Sequence, residues 1–196
     1  MKKTLILVVL LVCVSLVVSA QGFYFDIGLG AGKGWTTVNG FEVTHIGTND
    51  IAVEVGLKAG FKPFRALNLF FVGDVMGIGH RFFYGYGNIF DGDNIQLNSF
   101  LLGGGVIFYP FSLLQLGASI GYSLTANLPN TWSYPYYDSK GGYAWSVSAA
   151  VDLGKGGTGF LIGAKYIVTN NTLEVTEAKQ KTTALCVFAR FAVRNK

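Results

Sequence analysis

The chain has 196 residues and a formal charge of +4; 51% of it is hydrophobic, 15% aromatic and only 13% charged, and it holds 27 glycines and two cysteines. So weak a positive bias gives no support to nucleic-acid binding. After the first twenty residues no apolar run approaches the roughly 18 residues of a transmembrane helix, so the hydrophobicity is carried by interleaved positions.

The N-terminus reads as an export leader. Lys2 and Lys3 precede an uncharged apolar run from Leu5 to Val18, and Val18-Ser19-Ala20 supplies compact residues for a signal peptidase. Cleavage is expected after Ala20, which divides the chain into a signal peptide, 1–20, and one domain, 21–196, starting at Gln21. Acylation at Cys13 is disfavoured because Val12 precedes it, where a lipoprotein signal takes a small residue. Losing Lys2 and Lys3 lowers the +4 charge to +2. Losing Cys13 leaves Cys186 without an intramolecular disulfide partner.

Side chains on a strand alternate faces, and eight segments show that alternation. The first sets Phe23, Phe25, Ile27, Leu29 and Ala31 against Tyr24, Asp26, Gly28 and Gly30; the second sets Ile51, Val53, Val55, Leu57, Ala59 and Phe61 against Glu54, Gly56, Lys58 and Gly60. The third, about 67–79, places Leu69, Phe71 and Val75 opposite Asp74, although Phe70, Val72 and Met76 share the face of Asp74. The fourth, about 95–109, is apolar on both faces, so parity assigns it no orientation. The fifth opposes Leu114–Leu124 alternates to Gln115, Gly117, Ser119, Gly121 and Ser123, and the sixth opposes Tyr143, Trp145, Val147, Ala149 and Val151 to Ala144, Ser146, Ser148 and Asp152. The seventh sets Phe160, Ile162, Ala164, Tyr166 and Val168 against Gly163 and Lys165. The last sets Leu185, Val187, Ala189, Phe191 and Val193 against Cys186, Phe188 and Arg190. Within these spans every charge falls opposite the apolar run. A lipid-facing Lys or Arg at mid-membrane would cost about 2–4 kcal/mol.

The connections alternate in length. Short turns built on Pro or Gly lie at 62–66, 109–112 and 154–157; long segments lie at Gly34–Thr48, His80–Asn94, Thr125–Gly142 and Asn170–Lys181. Short periplasmic turns and long extracellular loops are the plan of an outer-membrane barrel. Phe23, Phe61, Tyr109, Phe160 and Phe191 below, and Tyr122, Tyr143 and Trp145 above, are expected as interfacial girdles. The fold class is therefore all-β: an eight-stranded antiparallel up-and-down transmembrane barrel.

Over 21–196 this arrangement resembles the OmpA/OmpX-type family of small outer-membrane barrels. The resemblance is architectural and implies a location in the outer membrane of a bacterium with two membranes. Many such proteins end on an aromatic residue, whereas here Phe191 is followed by Ala192-Val193-Arg194-Asn195-Lys196. No peptidoglycan-binding segment follows the barrel strands, so cell-wall tethering is not expected.

Two groups of candidate residues follow. Asp26, Glu54, Lys58, Asp74, Lys165 and Arg190 are expected in the lumen. Asp26, Lys58 and Arg190 should lie low and the other three near mid-height, with Arg190 paired to Asp26 as a salt-bridged plug; buried charges must pair to offset desolvation. The second group is aromatic and expected on loops: Arg81, Phe82, Phe83, Tyr84 and Tyr86, and Trp132, Tyr134, Tyr136 and Tyr137. Rigid rings bury much area at little entropic cost, which suits recognition.

Other signals fail. Gly28–Gly34 is glycine-rich but lies on a strand and lacks a Lys-Ser/Thr pair, so it is no phosphate loop. His45 and His80 have no Cys or His at ligand spacing. His80 with Asp91 or Asp93 is the one local catalytic possibility, and no Ser accompanies it. Cys186 is expected to fill the lumen. The reading is a non-enzymatic, monomeric membrane anchor without metal or cofactor, in contact with outer-membrane lipids. Its four extracellular loops would meet a host or envelope macromolecule. The alternative is a small porin-like channel for small or apolar solutes.

Overall fold

The computed structural model describes residues 22–42, 51–64, 67–84, 93–127, 139–154, 157–174 and 177–195. Their strands are β1 (Gly22–Val38), β2 (Phe41–Glu42), β3 (Ile51–Lys62), β4 (Leu69–Tyr84), β5 (Asp93–Phe111), β6 (Leu114–Asn127), β7 (Ser139–Asp152), β8 (Thr158–Leu173) and β9 (Lys179–Arg194). Eight of them pair antiparallel in sequence order, and β9 returns to β1 to close the sheet; β2 is a short return strand on the tip of β1. Closure removes every long free edge, which a membrane requires because lipid cannot satisfy backbone N–H and C=O groups.

The register fixes the barrel's shape. Following partners from Asp26 through Lys58, Asp74, Gly103, Gly121, Ala144, Thr169 and Thr182 leads back to Thr36, ten residues along β1 from the start. With a strand spacing of ~4.8 Å and a rise of ~3.3 Å per residue, that stagger gives a tilt of about 41°, a radius of about 8 Å and an axial rise of about 2.5 Å per residue. The lumen is therefore just wide enough to be filled by side chains.

Outside, the alternation produces an apolar belt. Leu29, Leu102, Ile120, Val187 and Phe160 are each at least 60% exposed, which only a hydrocarbon environment makes favourable. On β1 the belt runs from Phe23 to Lys33, about 25 Å along the axis, the height of an outer-membrane apolar band. Above Lys33 the strands continue into a wall rising beyond that band.

Three expectations are corrected. Arg81, Phe82, Phe83 and Tyr84 belong to β4, paired with β5 through Tyr84↔Asp93, rather than to a loop. Gly34–Val38 and Asn170–Leu173 likewise extend β1 and β8. Tyr109 is buried in the lumen at 3% exposure, so it is no part of the lower girdle. The tip of β1 turns at Asn39 and Gly40, both at positive φ (51° and 83°), where Asn and Gly are the favoured pair. Asn39 donates its N–H to Lys179 O at 2.8 Å and accepts from Lys179 N at 2.9 Å through its side-chain oxygen, clamping the tip to β9.

Candidate functional site

The lumen is stratified. Adding the stagger to the pairing register orders the inward side chains along the axis into four layers. The lowest is an aromatic floor. Tyr24, Phe70 and Tyr109 pack with ring centroids 5.5 Å and 6.2 Å apart in successive pairs. Gln115 Nε2 donates to both tyrosine hydroxyls at 2.8 Å. Beside them Arg194 pairs with Asp152, both fully buried, and the guanidinium stands over the Tyr109 ring at 5.8 Å.

The second layer holds the charges. Arg190 Nη1 lies 2.8 Å from Asp26 Oδ1, and its Nη2 contacts Glu54 Oε1. Lys165 Nζ donates to the same Glu54 oxygen at 3.1 Å and lies 2.9 Å from Met76 Sδ. Asp26 also accepts from the Tyr24 hydroxyl at 2.6 Å, tying this chain of ions to the floor. Lys58 and Asp74 are direct cross-strand partners 3.2 Å apart, and Lys58 donates to Ser119 Oγ at 3.2 Å. Arg190 further stacks on Phe188, 4.9 Å from the ring centroid. All six charges expected in the lumen are buried there. Along the axis the register and stagger set Asp26, Arg190 and Lys58 lowest and Asp74, Lys165 and Glu54 above them, and side chains bridge the two groups through Lys58–Asp74 and Arg190–Glu54.

Above lies an uncharged apolar layer of Ala52, Met76, Ile78, Leu101, Ala144, Ile167, Ala184 and Cys186, all at most 2% exposed. The uppermost layer is neutral and hydrogen-bonding. Thr36 Oγ1 meets Thr182 Oγ1 at 3.1 Å, Ser99 Oγ meets Thr125 Oγ1 at 3.1 Å, and the Asn171 side chain joins Thr125.

Glycines make the charged layer possible. A Cβ on Gly28 would stand 2.5 Å from Arg190 Cγ, and one on Gly56 would stand 2.6 Å from Arg190 Nη2. At Gly56 the space a side chain would occupy is taken by the guanidinium reaching across from β9, and at Gly28 by the stem of the same arginine and by the Ala189 carbonyl oxygen, 2.2 Å away.

The pair Arg194–Asp152 was missing from the sequence reading. Arg194 shares the parity of Arg190 and Ala192, which gives its inward direction, but its partner Asp152 lies two strands away on β7, a match that alternation alone does not supply. The side chains of Arg81, Phe82, Phe83 and Tyr84, together with residues Tyr86, Trp132, Tyr134, Tyr136 and Tyr137, lie outside what the structure describes. Among the described residues no group of three or more His, Cys, Asp or Glu could hold a metal ion.

No family model and no curated protein sequence matches the chain. Solved structures share its fold, two of them at a TM-score above 0.5 and from different proteins. One is Ail, the attachment invasion locus protein of Yersinia pestis, in complex with the heparin analogue sucrose octasulfate. It is 14% identical, with a TM-score of 0.54, covering 86% of this chain and 98% of Ail. The other is Neisserial surface protein A, 12% identical, with a TM-score of 0.51, covering 87% of this chain and 96% of that one. At such identities the likeness concerns the fold, a small transmembrane β-barrel.

Proposed function

We propose that this protein is an integral, non-enzymatic barrel of the outer membrane of a bacterium with two membranes, acting as a closed anchor that presents its long connections at the cell surface. The observation that carries the reading is the combination of an apolar belt about 25 Å tall with a lumen filled in four successive layers. A wet path would have to cross an aromatic floor, an ion-paired layer and an uncharged apolar layer in turn, which argues against the porin-like alternative. The fold shared with Ail and Neisserial surface protein A supports the same placement. Residues 1–20 would serve as the export signal, and the barrel would function as a monomer.

The surface role falls to the connections. The crystallised Ail holds a heparin analogue, which supports recognition of a host or envelope macromolecule by barrels of this shape. In this chain the upper end of β4, Arg81–Tyr84, with Tyr86 beyond it, and the connection segment Trp132–Tyr137 supply the aromatic density for such a contact. The test is surface display of the full chain, with the segment 132–137 replaced by Gly and Ser. Retained heat-modifiable folding with lost binding to host cells or envelope material is expected. Unchanged binding refutes the role of this segment, and stable conductance of the wild type in planar bilayers refutes the closed anchor.

A further inference from the structure

We infer that Arg194 and Asp152 form a register pin, which seats β9 on the β7–β8 hairpin before β1 closes the barrel, and that Arg190 is a separate lock made only on closure. The inference concerns how the anchor assembles and goes beyond its surface role. Both arginines lie on the inward face of β9, yet they reach in opposite directions. Arg190 reaches forward across the seam, to Asp26 of β1 at 2.8 Å and to Glu54 of β3, partners 164 and 136 residues distant in sequence. Arg194 stands opposite Tyr24 of β1 in the backbone register, but its side chain reaches back to Asp152 of β7. That partner is only 42 residues away along the chain, from 194 to 152.

The lower end of the β7–β8 hairpin is shaped for this pair. Gly154 N–H donates to Asp152 Oδ1 at 2.9 Å, and Arg194 N–H donates to Gly157 O at 2.7 Å, so both members of the ion pair are fixed to one turn. A Cβ on Gly154 would stand 3.0 Å from Arg194 Nη2, and one on Gly159 would stand 3.3 Å from Asp152 Oδ1. Glycine at both positions keeps the path between the two charges open. Tyr109 of β5 covers the guanidinium, and both charged side chains are fully buried. None of these contacts involves β1.

Such a pin settles what the lipid face leaves open. Outward, β9 presents Leu185, Val187, Ala189, Phe191 and Val193, so a slip of two residues against β8 still shows lipid an apolar face. Inward, a slip that brings Ala192 to the place of Arg194 strands the carboxylate of Asp152 in the lumen, a buried charge without its partner. Timing follows from sequence distance. The β1–β9 pairing joins the two ends of the domain, whereas β7, β8 and β9 follow one another along the chain, and contacts of short separation close at lower entropic cost. The pin can therefore form while the seam is open, and β9 then meets β1 already in register.

The test measures both rates for the full chain without residues 1–20, refolding from urea into phosphatidylcholine vesicles and unfolding by the reverse jump, each read by heat-modifiable gel migration. Arg194→Met and Asp152→Asn should each slow refolding about tenfold and leave unfolding within about twofold of wild type. Arg190→Met should do the opposite, speeding unfolding about tenfold with refolding within about twofold. Arg194→Lys, which keeps the charge, should refold faster than Arg194→Met. Wild type supplies a second measurement that needs no variant to fold. Pulsed hydrogen exchange during refolding, resolved by residue, should show the β9 amides bonded to β8 protected before those bonded to β1. Protection of both sets in one step overturns the inference. So does an Arg194→Met variant that unfolds faster with unchanged refolding, because the pair would then belong to closure, as does an Arg190→Met variant that refolds as slowly as Arg194→Met.

Discussion

Arg190→Ala is the most informative single substitution in the lumen. The guanidinium bridges Asp26 at 2.8 Å and Glu54, both buried at 2% or less of side-chain exposure. Removing one partner of a buried ion pair leaves a desolvated charge and costs about 3–5 kcal/mol. Two residual contacts place this case at the lower end. Glu54 keeps Lys165 at 3.1 Å, and Asp26 keeps the Tyr24 hydroxyl at 2.6 Å. The expected loss is therefore about 3 kcal/mol, measured by urea unfolding from phosphatidylcholine vesicles with tryptophan fluorescence. Pairing Arg190→Met with Asp26→Asn should recover part of it, since a neutral pair strands no charge at that carboxylate. A loss under about 1 kcal/mol, no larger than a typical exposed-surface change, would refute the claim that the pairing offsets desolvation. So would a double variant less stable than the sum of its parts.

Four further outcomes are expected. Planar-bilayer recordings should be silent for wild type and for Arg190→Ala alike, because the apolar layer of Met76, Ile78, Leu101 and Ile167 lies above the ion pairs; openings in the variant alone would make Arg190 the seal. Leu29→Lys, at an outward position 62% exposed near the middle of the belt, should destabilise the bilayer-embedded barrel by about 2–4 kcal/mol, checked by the same unfolding assay. Tyr24→Phe removes the donor to Asp26 and an acceptor for Gln115; a loss of about 1–3 kcal/mol is expected for the groups left unsatisfied. Cys186, fully buried, should resist maleimide in the folded barrel and react stoichiometrically once unfolded, as mass spectrometry would record.

Strand faces were legible where the two sides of the wall meet different media. Inside the belt, lipid demands apolar residues and the lumen admits Gly, Ser and charges, so parity separates Leu29 from Gly28 and Val187 from Phe188. Above the belt both faces of the wall meet polar surroundings, and the alternation vanishes. That is why Gly34–Val38, Phe82–Tyr84 and Asn170–Leu173 read as loop and fold as strand. The fourth expected strand failed for the opposite reason: Phe100, Leu101, Leu102, Ile107 and Phe108 are apolar on both faces. Only its partners orient it, through Gly103↔Gly121 and Leu101↔Met76. Tyr109 went to the wrong side with it. Pro110, which has no N–H to give the ladder, lies in the register break between Phe108 and Phe111. The lumen charges were visible as parity, but their partners depended on stagger, which no single strand encodes.

Glycine content and charge content are two aspects of one packing problem. A barrel about 8 Å in radius leaves its interior crowded by backbone from opposite walls, and a long cation must find room along a neighbouring strand. Arg190 finds it over Gly28 and Gly56, at distances that a methyl group would forbid. Gly28 and Gly56 are therefore the complement of the arginine that reaches over them. Sealing then depends chiefly on volume: the floor, the ions and the apolar layer each fill the cross-section, and loss of one leaves the others in place. A channel would need continuous small or hydrated positions through all the layers, whereas the small inward residues of this chain are already occupied by side chains from the next strand. The lumen thus spends its variation on holding the wall rigid, which leaves the tall polar rim and its connections as the part of the molecule free to meet a partner.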